Sequence, residues 1–152
     1  MADPTHDLPP AALAEIYDHA RAEYPNECCG YVLGDGPDAS VVRCTNRQDA
    51  LHAADPVTFP RTARTAYQIG GRELLALVRS FDGPRPATIL YHSHPDVGAY
   101  FSEEDTKAAL SAGYPVAYLV VDVTAEAVRG AVLFVREGDR FVERRRFGPP
   151  EP

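Results

Sequence analysis

The chain has 152 residues, 45% of them hydrophobic and 24% charged, a composition that excludes wholesale disorder, low-complexity repeats and a multidomain machine. Its 22 acidic and 15 basic residues leave a formal net charge of −7, which repels a phosphate backbone, so no nucleic-acid partner is expected. No run approaches the roughly 18 to 20 apolar residues of a membrane span, and the opening Met-Ala-Asp-Pro-Thr-His-Asp lacks a leader's basic and apolar regions, so a cytoplasmic protein without a membrane partner is expected.

Residues 8 to 23 place Leu13, Ile16, Tyr17 and Ala20 at helical spacing, with Pro9 or Pro10 suited to a first turn and Pro25 closing the segment. Cys29 to Leu33 reads as a short buried strand, Gly34-Asp35-Gly36-Pro37 as a turn, and Ser40 to Thr45 as the second arm of a hairpin. The odd count of cysteines, with Cys28 and Cys29 adjacent, argues against a disulfide framework and for small buried hydrophobes. Residues 47 to 64 are polar, carry Pro56 and Pro60 and show no clear period, which predicts a long ordered loop of the kind that carries function.

Tyr67 to Ile69 reads as a short strand broken by Gly70-Gly71, and Glu73, Leu74, Leu75, Leu77 and Val78 predict an amphipathic helix ending near Phe81. After the Asp82-Gly83-Pro84 turn, Ala87 to His94 predicts a strand, Ser102 to Ala112 a helix and Val116 to Asp122 the most apolar strand. Val128 to Arg136 and Arg140 to Phe147 flank Glu137-Gly138-Asp139 as a closing hairpin. Strands that alternate with helices and then finish antiparallel predict a single α/β (α+β-like) domain over residues 1–147, a mixed sheet flanked by helices, with a flexible tail at 148–152.

The chemistry concentrates in His92-Ser93-His94, Ser102 and Asp105. Side chains at i and i+2 of a strand face the same way, so His92 and His94 present two imidazoles together. Pro95 breaks the strand, and a helix starting at Ser102 can return Asp105 toward the strand end as a third ligand. Two histidines and a carboxylate leave a fourth tetrahedral position for water, the open arrangement of a catalytic zinc site. Glu27, just ahead of the first strand, is the candidate base for the water proton. Each piece has a plain alternative: a strand histidine can be a satisfied core residue, and Ser102 with Asp105 is explained by a helix N-cap and an acidic first turn. The joint spacing His-x-His-x7-Ser-x2-Asp favours the metal.

These residues resemble a known family. Glu27, His92-Ser-His94-Pro95, Ser102 and Asp105 are similar to the JAMM motif of the MPN-plus zinc metallopeptidases, and Pro25-x-Glu27-x-Cys29-Gly30-x-x-x-Gly34 resembles the segment around that family's catalytic glutamate. The resemblance covers roughly residues 10 to 135 and implies one MPN/JAMM-type domain that hydrolyses peptide or isopeptide bonds after the C-terminal glycine of ubiquitin or ubiquitin-like proteins. It implies one Zn2+ per chain on His92, His94 and Asp105, Glu27 as general base and Ser102 as donor to the oxyanion. The chain looks like the short bacterial members related to the CysO-cysteine peptidase, which implies a ubiquitin-like sulfur-carrier protein as partner and substrate. A non-catalytic MPN-type scaffold that binds protein partners is the alternative. A zinc deaminase would need His-x-Glu and Pro-Cys-x-x-Cys, which are missing here.

Around this centre, Tyr67, Tyr100 and Phe101 are equally readable as walls of a substrate channel or as packing. Asn46 and Asp55-Pro56 sit on the functional-looking loop, though a turn role explains them as well, and Arg144-Arg145-Arg146 fits a solvated edge strand better than a patch that meets an acidic carrier protein.

Overall fold

The computed structural model describes residues 7–151, so the opening residues read above for a leader, and the last residue of the expected tail, lie outside the described residues. In chain order the elements are α1 (Pro10–Glu23), β1 (Cys29–Leu33), β2 (Ser40–Cys44), α2 (Gln48–Ala54), α3 (Gly71–Ser80), β3 (Ala87–Pro95), α4 (Glu103–Ala112), β4 (Ala117–Val123), β5 (Val128–Glu137) and β6 (Arg140–Phe147). They form a single α+β domain around one mixed sheet in the order β2-β1-β3-β4-β5-β6.

Only β3 and β4 run parallel, joined by the crossover through α4, and every other neighbouring pair is antiparallel. The long strands β3 and β4 are buried almost throughout, as a central strand covered on both faces must be. On one face α1 inserts Ile16, Tyr17 and Ala20 against Cys28, Tyr91 and Leu119. On the other face Leu77 of α3 and Ala109 of α4 pack with Cys29, Tyr31, Leu90 and Tyr118. Because side chains alternate along β3, His92 and His94 share the face of Leu90 and look toward α4.

Three expectations are corrected. Within 47–64 the chain forms the helix α2 instead of a continuous loop. Its seven residues offer Leu51 as the one large aliphatic side chain, too little for a visible helical period, and no side-chain cap marks its start. Tyr67 to Ile69 forms no strand and joins no sheet; Gln68 instead receives an Arg47 N–H on its carbonyl and donates its own N–H to Asn46 Oδ1. Pro95 is the last residue of β3 and pairs in register with Val123. Strand pairing stops at Asp96, whose φ is +67° and whose N–H is bound to the Val123 carbonyl.

All three cysteines are buried free thiols, as expected, and burial raises the pKa of each. Arg145 pairs with Asp7 and lies over the Phe147 ring, while Arg146 pairs with Glu143, which fits a solvated edge strand. Among the described residues no helix is long and apolar enough to cross a membrane.

Candidate metal centre

Sheet register assembles the site. β1 runs antiparallel to β3 with Cys29 opposite His92, so Glu27, two residues before Cys29, comes level with His94. The strand ends are stitched together: Ser93 N–H donates to the Cys28 carbonyl at 3.2 Å, and Ser93 Oγ accepts the Cys28 N–H at 2.8 Å. Ligand atoms of Glu27, His92 and His94, all buried, lie within 4.8 Å of one another.

Asp105 arrives from the helix side. Ser102 caps α4 with its Oγ accepting the Asp105 N–H at 3.0 Å, and Asp105 Oδ2 accepts the Ser102 N–H at 3.1 Å. The same Oδ2 stands 3.2 Å from His92 Nε2 and 3.2 Å from His94 Nε2, while the two Nε2 atoms are 3.2 Å apart. The capping box and the convergence on the histidines are therefore one arrangement: the cap fixes the rotamer that points the carboxylate at the imidazoles.

The donor set suits a divalent cation. A tetrahedral ion with bonds of about 2.0 to 2.1 Å holds its ligand atoms about 3.3 to 3.4 Å apart, close to the sides of this triangle. His94 Nδ1 lies 3.1 Å from the Gly98 carbonyl, which favours a proton on Nδ1 and leaves the Nε2 lone pair facing inward. Burial lowers the pKa of His92 and keeps its ring neutral, with Asp105 opposing. Burial alone would raise the pKa of Asp105, but the two imidazoles outweigh it and hold the carboxyl well below the usual range. Glu27 is pushed up to about 9, chiefly by burial and then by the Asp105 charge, with Arg61 pulling the other way.

A cleft of about 740 Å³ opens over the centre and takes part of its lining from Glu27, His94, Ser102 and Asp105. Tyr67 lines it and stacks on the His92 ring at 4.5 Å; Tyr100 lines it with its edge on His94 at 4.9 Å. Phe101 instead joins Tyr118, Phe134 and Phe141 in an aromatic cluster, so packing is its role.

Of the residues that brace Glu27, Asn46 reads in the sequence as part of the functional-looking loop, with a turn role as the alternative, while Gln48 and Ala63 carry no signal there. Asn46 Nδ2 donates to the Glu27 carbonyl at 2.9 Å and to the Ala66 carbonyl at 3.0 Å, while its Oδ1 accepts from the Gln48 and Gln68 N–H groups. Glu27 N–H reaches the Ala63 carbonyl at 2.8 Å, and the buried Gln48 donates to the Arg61 carbonyl. Asp55 acts in a turn, as expected, with its Oδ1 accepting the Thr58 N–H.

Fold and site together define a JAB-domain protein with a buried candidate metal centre. Residues 9–134 match the family model of prokaryotic homologs of the JAB domain, and the chain belongs to that family. It is 32% identical over 92 residues to the CysO-cysteine peptidase of Mycobacterium tuberculosis, covering 60% of this chain and 56% of that protein. It is 30% identical over 131 residues to the uncharacterized protein F37A4.5 of Caenorhabditis elegans, covering 85% of this chain and 40% of that one. The chain thus spans roughly half the length of these relatives. The solution structure of protein DSY2949 from Desulfitobacterium hafniense shares the fold, with a TM-score of 0.62 at 24% identity over 88% of this chain and 86% of that one.

Proposed function

We propose that the protein is a zinc-dependent peptidase or isopeptidase that hydrolyses the bond after the C-terminal Gly-Gly of a ubiquitin-like sulfur-carrier protein. The observation that carries this reading is the triangle of His92 Nε2, His94 Nε2 and Asp105 Oδ2 with 3.2 Å sides, faced by the buried Glu27. Membership of the JAB family and similarity to a CysO-cysteine peptidase support the reaction class and the carrier substrate.

In this reading His92, His94 and Asp105 hold one zinc ion per chain. Zinc supplies a Lewis acid and an activated water at neutral pH when bound. Glu27 takes a proton from the attacking water and returns it to the leaving amine, a task its place among the ligand atoms of His92 and His94 allows. The Ser102 oxygen is occupied as an acceptor of the Asp105 N–H, while its hydroxyl hydrogen has no acceptor among the described residues and is free to donate to the oxyanion. The uncharged Gly-Gly tail lies extended in the cleft, whose lining includes Tyr67 and Tyr100.

Elemental analysis of the purified protein tests the metal, with about one zinc per chain expected and a collapse in His92→Ala. Intact-mass assays on Gly-Gly-tailed carrier fusions test the reaction, with Glu27→Gln expected to retain zinc and lose about 10² to 10⁴ in turnover. A protein that takes up no zinc when it is offered would overturn the reading in favour of a non-catalytic scaffold.

A further inference from the structure

The two imidazoles of the centre are held in different ways. His94 has its Nδ1 3.1 Å from the Gly98 carbonyl, which fixes that ring from the side away from Nε2. The His92 ring is fully buried, and among the described residues its Nδ1 is the one buried side-chain nitrogen or oxygen without a hydrogen-bond partner. A histidine that ligates a metal through one nitrogen ordinarily donates the N–H of the other to a carbonyl or carboxylate, and that bond sets the orientation of the ring. His92 must be oriented by something else.

Tyr67 meets that need. Its ring stacks on His92 with centroids 4.5 Å apart and planes 23° from parallel, whereas His94 and Phe101 stand at 4.9 and 6.5 Å and are tilted by 58° and 55°. Turning the imidazole about its own χ2 would drive its edge into the phenol ring. The Tyr67 hydroxyl makes no hydrogen bond among the described residues, so the contact belongs to the ring. A cation on Nε2 draws electron density from the imidazole, and the electron-rich face of a tyrosine attracts positive charge, so the stack favours the metal-bound form.

Tyr67 lies in no helix or strand, yet its backbone is pinned on both sides. Asn46 Nδ2 donates to the carbonyl of Ala66, just before it, at 3.0 Å, and Asn46 Oδ1 accepts the N–H of Gln68, just after it, at 3.1 Å. The Gln68 carbonyl in turn accepts the Arg47 N–H at 2.9 Å. Because the same Asn46 amide holds the Glu27 carbonyl, one side chain places both the candidate base and the ring that backs a candidate ligand.

We propose that Tyr67 is a positioning residue of the metal centre: its ring, held by Asn46, orients His92 in place of the hydrogen bond that Nδ1 does not make, and so sets zinc affinity and coordination geometry. The inference rests on the peptidase reading above in one point, that His92 holds the ion. It assigns the role to the flat ring, so phenylalanine serves at this position and an aliphatic side chain does not. Since Tyr67 also lines the cleft, turnover mixes this role with substrate packing, whereas metal affinity and metal spectroscopy read it alone.

Zinc affinity is measured by competition with a chromophoric chelator, and coordination by the visible bands of the cobalt-loaded protein, in the parent, Tyr67→Phe and Tyr67→Leu. Tyr67→Leu is expected to bind zinc about tenfold or more weakly and Tyr67→Phe to stay within about twofold of the parent. The cobalt bands of Tyr67→Phe are expected to match the parent and those of Tyr67→Leu to be displaced. Parent-like affinity or parent-like cobalt bands in Tyr67→Leu, or a Tyr67→Phe protein as weak as Tyr67→Leu, overturns the proposal. Should Tyr67→Leu not fold, Tyr67→Met takes its place, and the parent carries a further check: in the zinc-loaded protein the His92 ring protons are expected upfield in the NMR spectrum through the tyrosine ring current, and no such shift overturns the stack. A parent that takes up neither zinc nor cobalt overturns the peptidase reading and this inference together. Zinc binding that follows the expected pattern of variants, with no cleavage of Gly-Gly-tailed carrier fusions, supports the positioning role and overturns the peptidase reading.

Discussion

Ser102 does two jobs that two measurements on one variant separate. As N-cap of α4 it bonds the Asp105 N–H, and its hydroxyl hydrogen remains available in the cleft. Ser102→Ala is expected to cost about 0.5 to 2 kcal/mol of stability through the lost cap and about 10² to 10³ in turnover through the lost donor. Denaturant titration and steady-state kinetics read the two effects independently. Asn46 has a different kind of importance: four hydrogen bonds from one side chain join the Glu27 carbonyl to the segment carrying Gln48, Ala66 and Gln68. Asn46→Ala is expected to lose about 1 to 3 kcal/mol, because buried carbonyl and N–H groups go unpaired. In the sequence Asn46 reads as a turn residue, since nothing local says which distant carbonyls its amide will meet.

Elements differ in how plainly their residues declare them. α1 and the central strands β3 and β4 bury enough apolar surface for the pattern to show, whereas α2 is short and its stability comes from contacts such as Gln48 with Arg61 and Asp49 with Ala63. The packing of α1 on the sheet carries its own pH signature. His19 Nδ1 lies 2.7 Å from the Tyr91 hydroxyl, with Glu23 3.9 Å from its Nε2. Burial, then the Arg43 charge, lowers its pKa to about 4. The unfolded chain therefore binds a proton near pH 6.5 that the folded chain refuses until about pH 4, so this contribution is complete above the upper value and lost as pH falls through the window. The raised pKa of Glu27 slopes stability in the opposite direction in the metal-free protein. Comparing His19→Gln with the parent by urea denaturation between about pH 7 and pH 4 isolates the histidine, and the variant should show the smaller loss on acidification.

At the scale of the whole molecule, the candidate centre joins three parts of the fold: the approach to β1, the end of β3 and the first turn of α4. An ion held by all three stabilises the native state by mass action, about 2.7 kcal/mol at a hundredfold excess over its dissociation constant. For a domain of this size that amounts to a rise of roughly 5 to 10 °C in melting temperature. Differential scanning fluorimetry with zinc and with a chelator should show the rise, and His92→Ala should not. Much of this architecture is legible in the residues alone: the alternation of strands and helices, the mixed sheet, and a His-x-His pair whose imidazoles must share a face because strand side chains alternate. The cap of α4 is equally local, since Ser102 and Asp105 sit three residues apart in one helical turn. What only the tertiary structure decided are the relations between distant segments. Register across β1 and β3 brings Glu27 level with His94, the β3–α4 crossover seats Asp105 between two imidazoles, and the 58–68 segment puts Arg61 and Arg64 into the cleft. Local propensity sets the conformation of a turn or a strand, but these placements arise from long-range strand pairing and packing, which no local window of residues contains.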